Sequence, residues 1–250
     1  HFHIIDNKYH LEANNGYLPD LFTYKDYKNR TKNLFIDSIG GAIISGSFQG
    51  NDLEYLEVLN EFKKDGKKDF RAIINLPIET NNEKILDLNE KGITGVRFNI
   101  FRGISTDIDD IIKFSKRIYQ LCNWNVEIQI NSKNILEIIN KLLEIPRLAI
   151  DHIGLRKDAI DSLYILAKNN VKIKATGFGR LDFDPIPVLK NIYELNPTSL
   201  MFGTDLPSTR VDKEKVFSRS HINLMLDNFS EEELKNIMYN NAYNWYINKK

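Results

Sequence analysis

Four residues of this sequence combine side-chain types able to move protons or hold a divalent cation: His1, His3, His152 and Asp205. Imidazole titrates near neutral pH and ligates metals, and a carboxylate can act as base or ligand. His1 and His3 are two residues apart, so on a strand both side chains point to one face. An HxH pair is also compatible with satisfied core histidines. Asp205 tips the balance, because a buried carboxylate requires partners and the histidines can supply them. His152 lies in AIDHIG and, on a regular strand, points opposite to Asp151. His10 and His221 read as surface residues, with His10 a minor site candidate.

Arginines form the second group. Arg97, Arg102, Arg156, Arg180 and Arg210 fall on expected strand ends or the loops after them. Arg97, inside GVRFN, is a costly strand residue unless paired. Arginine suits planar, two-pronged recognition of carboxylates. Arg97, Arg102 and Arg180 are therefore expected to hold an anionic substrate. Pairing with Asp6, Asp151 or Glu127 is the alternative for any one of them. Tyr17, in NNGYLPD, could donate a hydroxyl to substrate or simply pack in its loop. Asn99 and Gln129 are polar ends of apolar strands and are expected to line the pocket. Lys174, within KIKAT, reads as an outward-facing residue without an assigned role.

Something must bring these residues together. Short β-rich runs recur at His1–Ile5, Gly41–Ser45, Ala72–Leu76, Gly95–Asn99, Val126–Ile130, Leu148–His152, Val171–Gly177 and Leu200–Asp205. Most are near-continuous apolar runs, as in parallel strands covered on both faces. Helical periodicity separates them at Leu53–Lys64, Asn82–Lys91, Asp107–Leu121, Asn134–Leu143, Ala159–Asn169 and Pro187–Leu195. Ser230 and the acidic residues after it start a closing helix, Glu231–Tyr246. Tyr9–Arg30 reads as a long loop over the site, and Asp182–Pro187 as a rigid one. Strand–helix alternation of this length predicts an α/β fold, a (β/α)8 TIM barrel in one domain over residues 1–250. In such barrels chemistry sits at the C-terminal strand ends. The first strand candidate opens at His1 inside an apolar run, so about five residues of strand are expected to extend upstream.

Composition narrows the function classes. Lys plus Arg and Asp plus Glu are both 34, giving zero net charge. This disfavours a basic nucleic-acid footprint or binding to anionic membranes. One cysteine, Cys122, excludes an intramolecular disulfide and a cysteine-only metal site and suits the cytoplasm. No apolar run approaches the ~18 residues of a membrane span. GxGxxG and GxxxxGK[ST] phosphate loops are absent. The expected partner is a small anionic substrate, and the expected state a monomer or homodimer.

HFHIID, GVRFN, IDHIG, KATGFGR and GTDLP, in this order, resemble motifs of the amidohydrolase superfamily. The resemblance is to its amidohydrolase-related branch, which includes 2-pyrone-4,6-dicarboxylate lactonase and sugar lactonases. It runs from His1 to NNAYNWY in the closing helix. It implies a reaction centre of His1, His3, His152 and Asp205, substrate arginines at Arg97, Arg102 and Arg180, and a loop tyrosine at Tyr17. It also implies hydrolysis of a carboxylated lactone or related cyclic ester, with Asp205 as base and the histidines polarising the carbonyl or shuttling a proton. Departures concern the substrate: Leu155 stands where the dicarboxylate enzyme has arginine, Gln129 where it has tyrosine, Ser208 where the branch often has histidine, and Leu206 at a usual tryptophan. The fourth and fifth strands offer Asn99 and Gln129 rather than the histidine or lysine of metal-dependent relatives. No required metal is therefore expected. The alternative is one Zn or Mn on His1, His3, His152 and Asp205, in a metal-dependent amidohydrolase acting on C–N bonds or a decarboxylase. A non-catalytic barrel binding an anionic metabolite is a third reading.

Overall fold

The computed structural model describes residues 1–102, 106–130 and 132–249, without the side chains of residues 102 and 132–134. Among them, seven parallel strands form one sheet in sequential order. They are β1 (Gly40–Ile44), β2 (Asp69–Ile74), β3 (Ile93–Asn99), β4 (Asn125–Gln129), β5 (Leu148–Ile150), β6 (Lys172–Ala175) and β7 (Leu200–Phe202). The N-terminal segment lies between the two edges of this sheet. Phe2 forms parallel bridges with both Ile43 and Leu206. Ile44 N–H donates to Phe2 O (2.9 Å), and His3 N–H donates to Leu206 O (2.7 Å).

The connecting helices follow local signals. Helices α1 (Tyr24–Asn33), α2 (Val58–Lys64), α3 (Asn82–Glu90) and α4 (Ile108–Cys122) are followed by α5 (Ser132–Leu142), α6 (Ile160–Lys168) and α7 (Pro185–Leu195). Asp107 caps α4, whose Ile111, Ile118 and neighbouring apolar residues face the core, and Asn123 ends it in the left-handed region. Asp184 caps α7 with Pro185 in its first turn, so the expected rigid loop is largely a helix start. The segment expected to be a long loop contains α1, nucleated by a reciprocal Thr23–Asp26 capping box. Helix α8 (Arg219–Leu226) also lay outside the expected pattern; its cap uses Ser218 and His221. The closing helix is two helices, α9 (Glu231–Lys235) and α10 (Asn241–Tyr246), joined by a π-helical turn.

Strand periodicity divides the core in two. Ile43, Ala72, Val96, Ile128, Ile150 and Ile173 pack against the helices. Ala42, Ile44, Ile73, Ala149 and Met201 face the other way and meet Trp245 and Tyr246 of α10. Arg97, Asn99, Glu127, Gln129 and Lys174 alternate with the helix-facing residues and so share this inner face. Among the described residues no helix is long and apolar enough to cross a membrane.

Candidate active site

Two irregular turns carry the acid–base residues. Sequence periodicity extends the fifth strand of the sheet to His152, but β5 ends at Ile150, and His152 and Ile153 adopt φ of 55° and 50°. The turn abolishes the expected opposition of neighbours, so Asp151 and His152 both approach His1. Asp205 likewise sits beyond β7 with φ 53°. Non-glycine residues in the left-handed region are uncommon and cluster at functional sites. Two glycines make room. A Cβ on Gly177 would come within 2.8 Å of the His152 ring, and one on Gly203 within 2.9 Å of the His1 backbone nitrogen.

His1, His3, His152 and Asp205 come together. The His1 ring lies 5.3 Å from that of His3 and 5.1 Å from that of His152. Asp205 Oδ1 is 3.4 Å from both His1 Nε2 and His3 Nε2. Its Oδ2 accepts from Arg180 Nη2 at 2.5 Å. The same Nη2 donates to His152 Nε2 at 2.9 Å. Guanidinium only donates, so His152 presents a lone pair at Nε2 and its Nδ1–H donates to Thr176 Oγ1, 2.8 Å away. His3 has the opposite constraint: Ile44 O only accepts, so Nδ1–H donates to it at 2.8 Å and Nε2 carries the lone pair.

Burial and charge agree with these neutral rings. Burial pulls His152 well below its ordinary value, and adjacent Arg180 pulls it further. Burial also lowers His3, with Asp205 opposing. For Asp205 burial acts upward, yet the charge of Arg180, 2.5 Å away, holds the carboxyl well below the usual range.

Beneath lies a network the sequence reading largely missed. Arg97 donates to Asp151 Oδ2 (2.8 Å), Gln129 Oε1 (2.7 Å) and Ser45 O (3.2 Å). Pairing with Asp151, one of the alternatives stated for the arginines, is thus what Arg97 does. Lys174 is not outward-facing: it is 1% exposed, contacts Glu127 Oε2, and stands 3.2 Å from Asp151 Oδ1. Its inward position follows from sharing strand parity with Thr176, a signal present in KIKAT. Glu127 Oε1 accepts from Tyr246 Oη at 2.6 Å.

A cleft of about 320 Å³ is lined by His3, Arg97, Asn99, Gln129, His152, Arg180 and Arg210, among others. Asn99 Oδ1, Gln129 Nε2, Arg180 Nε and Asp205 Oδ1 are buried without a hydrogen-bond partner. Outside it, an 870 Å³ cavity is lined by Arg156, Arg180, Arg210 and Lys215, with Asp212 as its acid. Tyr17 stands at the rim rather than in the cleft lining: its hydroxyl accepts from Arg210 N–H (3.1 Å), and its ring lies under the Arg210 guanidinium. Arg102 ends a 3-10 turn, and its side chain lies outside the described residues. Leu155 is buried. His10 is exposed beside Glu12, and His221 caps α8.

Two atom groups are close enough to share a cation: His1, His3 and Asp205, and His1, Asp151 and His152. In the second group Asp151 is paired with Arg97 and Lys174, and His152 Nε2 is engaged by Arg180. In the first, Arg180 already neutralises Asp205, and the Lys174 ammonium stands 3.2 Å from His1 Nδ1. A dication would add charge beside two resident cations in a site poor in water. In both groups, then, resident cations compete with a metal for the donor atoms.

Comparison with known proteins agrees with this architecture. A probable 2-pyrone-4,6-dicarboxylic acid hydrolase from Acinetobacter baumannii, crystallised with citric acid, superposes with a TM-score of 0.79 at 22% identity, over 98% of this chain and 97% of that one. An Agrobacterium tumefaciens protein gives 0.82 at 20% identity, over 98% and 93%. The manganese-containing 5-carboxyvanillate decarboxylase of Novosphingobium aromaticivorans gives 0.54 at 13%, over 76% and 69%. No curated protein matches the sequence. The Amidohydrolase family model matches residues 1–246, and the chain belongs to that family.

Proposed function

We propose that the protein hydrolyses a small carboxylated lactone or a related cyclic ester. The observation that carries this reading is the ionised Asp205 between His3 and Arg180 at the edge of an arginine-lined cleft. A water beside Asp205 Oδ1 and His3 Nε2 meets two acceptors, which orient both its protons away from the carbonyl carbon. Its oxygen bonds to that carbon while one proton passes to Asp205. The ring C–O bond then breaks, and the alkoxide leaving group takes the proton back from Asp205. Arg180 faces the oxyanion that develops, and His152 holds Arg180 in place through Nε2. A carboxylate held this low is a weak base, so its strength rises as the substrate draws hydrogen bonds from Arg180.

Several features support a small anionic substrate. Arg210 lines both the cleft and the cationic cavity outside it. The probable hydrolase that superposes on this chain holds citric acid. No metal enters this reading. The N-terminal segment, hydrogen-bonded to both sheet edges, supplies the eighth stave of a closed (β/α)8 barrel in this account.

The test is a panel of carboxylated lactones assayed by proton release, with elemental metal analysis of the same protein. Wild type is expected to turn over a panel member that Asp205→Asn does not. Equal rates for the two proteins would remove Asp205 as base. Stoichiometric metal with loss of activity on chelation would favour a metal-dependent amidohydrolase or decarboxylase.

A further inference from the structure

Lys174 is the buried cation for which the proposed chemistry has no use. It rises from β6 on the inner face, and its Nζ has three neighbours: Glu127 Oε2, Asp151 Oδ1 at 3.2 Å and His1 Nδ1 at 3.2 Å. An ammonium has three donors and no acceptor. One donor goes to the Glu127 carboxylate and one faces the imidazole nitrogen, while Asp151 Oδ1 is a charge contact at 3.2 Å. His1 Nδ1 must therefore offer its lone pair, which leaves the ring proton on Nε2. That nitrogen is buried without a hydrogen-bond partner closer than Asp205 Oδ1, 3.4 Å away.

We propose that Lys174 is a positioning residue that keeps the proton of His1 on Nε2, aimed at Asp205. The two histidines of the HxH pair then play opposite parts on one carboxylate oxygen. His1 presents N–H, while His3, turned by Ile44 O, presents a lone pair. The asymmetry orients a water at Asp205 in one sense only. It also denies His1 Nε2 to a metal, because a ligating imidazole nitrogen needs its lone pair. Moving the proton to Nδ1 would set N–H against the ammonium. None of this depends on which substrate is hydrolysed.

The test uses the whole protein labelled with 15N-histidine, its ring signals read by long-range 1H–15N correlation and assigned through single His→Gln variants. Wild-type His1 is expected to show the Nε2–H pattern; an Nδ1–H pattern would overturn the proposal even if the Lys174 variant failed to fold. The paired substitution Lys174→Met with Glu127→Gln removes one charge of each sign. There His1 is expected to change to Nδ1–H, now facing Asp151 Oδ1, which lies 3.6 Å from Nδ1. An unchanged tautomer would overturn the proposal. Cobalt(II) chloride added alone, followed by visible absorption, is expected to bind this variant at least about tenfold more tightly than wild type, or about 1.4 kcal/mol. Equal affinities would also count against it.

Discussion

Two sets of charged and polar groups sit one above the other on the inner face of the sheet, and they are built on different terms. The lower set has two cations, Arg97 and Lys174, and two anions, Asp151 and Glu127, all 4% exposed or less and facing one another. Tyr246 fills the remaining position at Glu127, and burial together with the Glu127 charge keeps its phenol well above the ordinary range. The upper set has one ion pair, Arg180–Asp205, neutral His3 and His152, and several atoms without partners. Buried charges are tolerated when paired and satisfied. The lower set pairs every charge within the protein, with one carboxylate oxygen, Asp151 Oδ1, held by the Lys174 charge 3.2 Å away and not by a hydrogen bond. The upper set leaves Asp205 Oδ1, Arg180 Nε, Asn99 Oδ1 and Gln129 Nε2 for something the protein itself does not supply. Asn99, Gln129 and Arg180 line one cleft, and unsatisfied buried atoms at such a place are candidates for contact with a ligand.

The contrast can be broken most directly in the lower set. Asp151→Ala leaves Arg97 and Lys174 without a shared anion, and breaking such a buried arrangement costs about 3–5 kcal/mol. Denaturant unfolding is expected to show that loss; a change below about 1 kcal/mol would mean the lower set is not what holds this face together. Asp205→Asn should do the reverse. Turnover is expected to fall about 10²–10⁴-fold, with a smaller change in unfolding free energy than Asp151→Ala. A larger stability loss at Asp205 than at Asp151 would invert the comparison.

Arg180→Lys keeps the positive charge but cannot reach Asp205 and His152 with the same planar group. A drop of about 10–100-fold in kcat/KM is expected, on the scale of one to two charge-assisted hydrogen bonds. A fully active lysine variant would show that charge alone suffices there.

A further test concerns pH. His3 and His152 have folded values below the unfolded value of about 6.5, so the unfolded chain binds more protons below that pH. Their contribution is fully present above about pH 6.5 and is lost as pH falls, at about 1.4 kcal/mol per unit for each ring that stays neutral. Asp151 and Asp205 are also depressed, so their contribution has the same sign and is lost at lower pH, beneath about 3.9. Thermal midpoints between pH 8 and 5 should decline in wild type and decline less in His152→Gln. An identical decline in both would place the neutral-pH loss outside the upper set.

Much of this was legible before any coordinates. Residue type and spacing singled out His1, His3, His152 and Asp205, which the fold brings together, although an HxH pair by itself fitted satisfied core histidines equally well. Strand–helix alternation predicted the parallel α/β sheet, since apolar runs and 3.6-residue periodicity are local properties. Helix α1 was readable too, in the Thr23–Asp26 cap, but its few apolar residues hid it.

Other features required the folded chain. The left-handed turns at His152 and Asp205 are ordinary sequence; backbone hydrogen bonds such as Asp205 N–H to His1 O and the room left by Gly177 hold them. Whether Arg97 meets substrate or Asp151 depended on a residue 54 positions away. Strand parity put Lys174 on one face, but its partners Glu127, Asp151 and His1 come from other parts of the chain. The sequence by itself determined which acids, bases and cations exist and near which strand each falls, through short-range periodicity. The tertiary structure alone decided which nitrogen faces a donor and which an acceptor, because that depends on contacts between residues far apart in the chain.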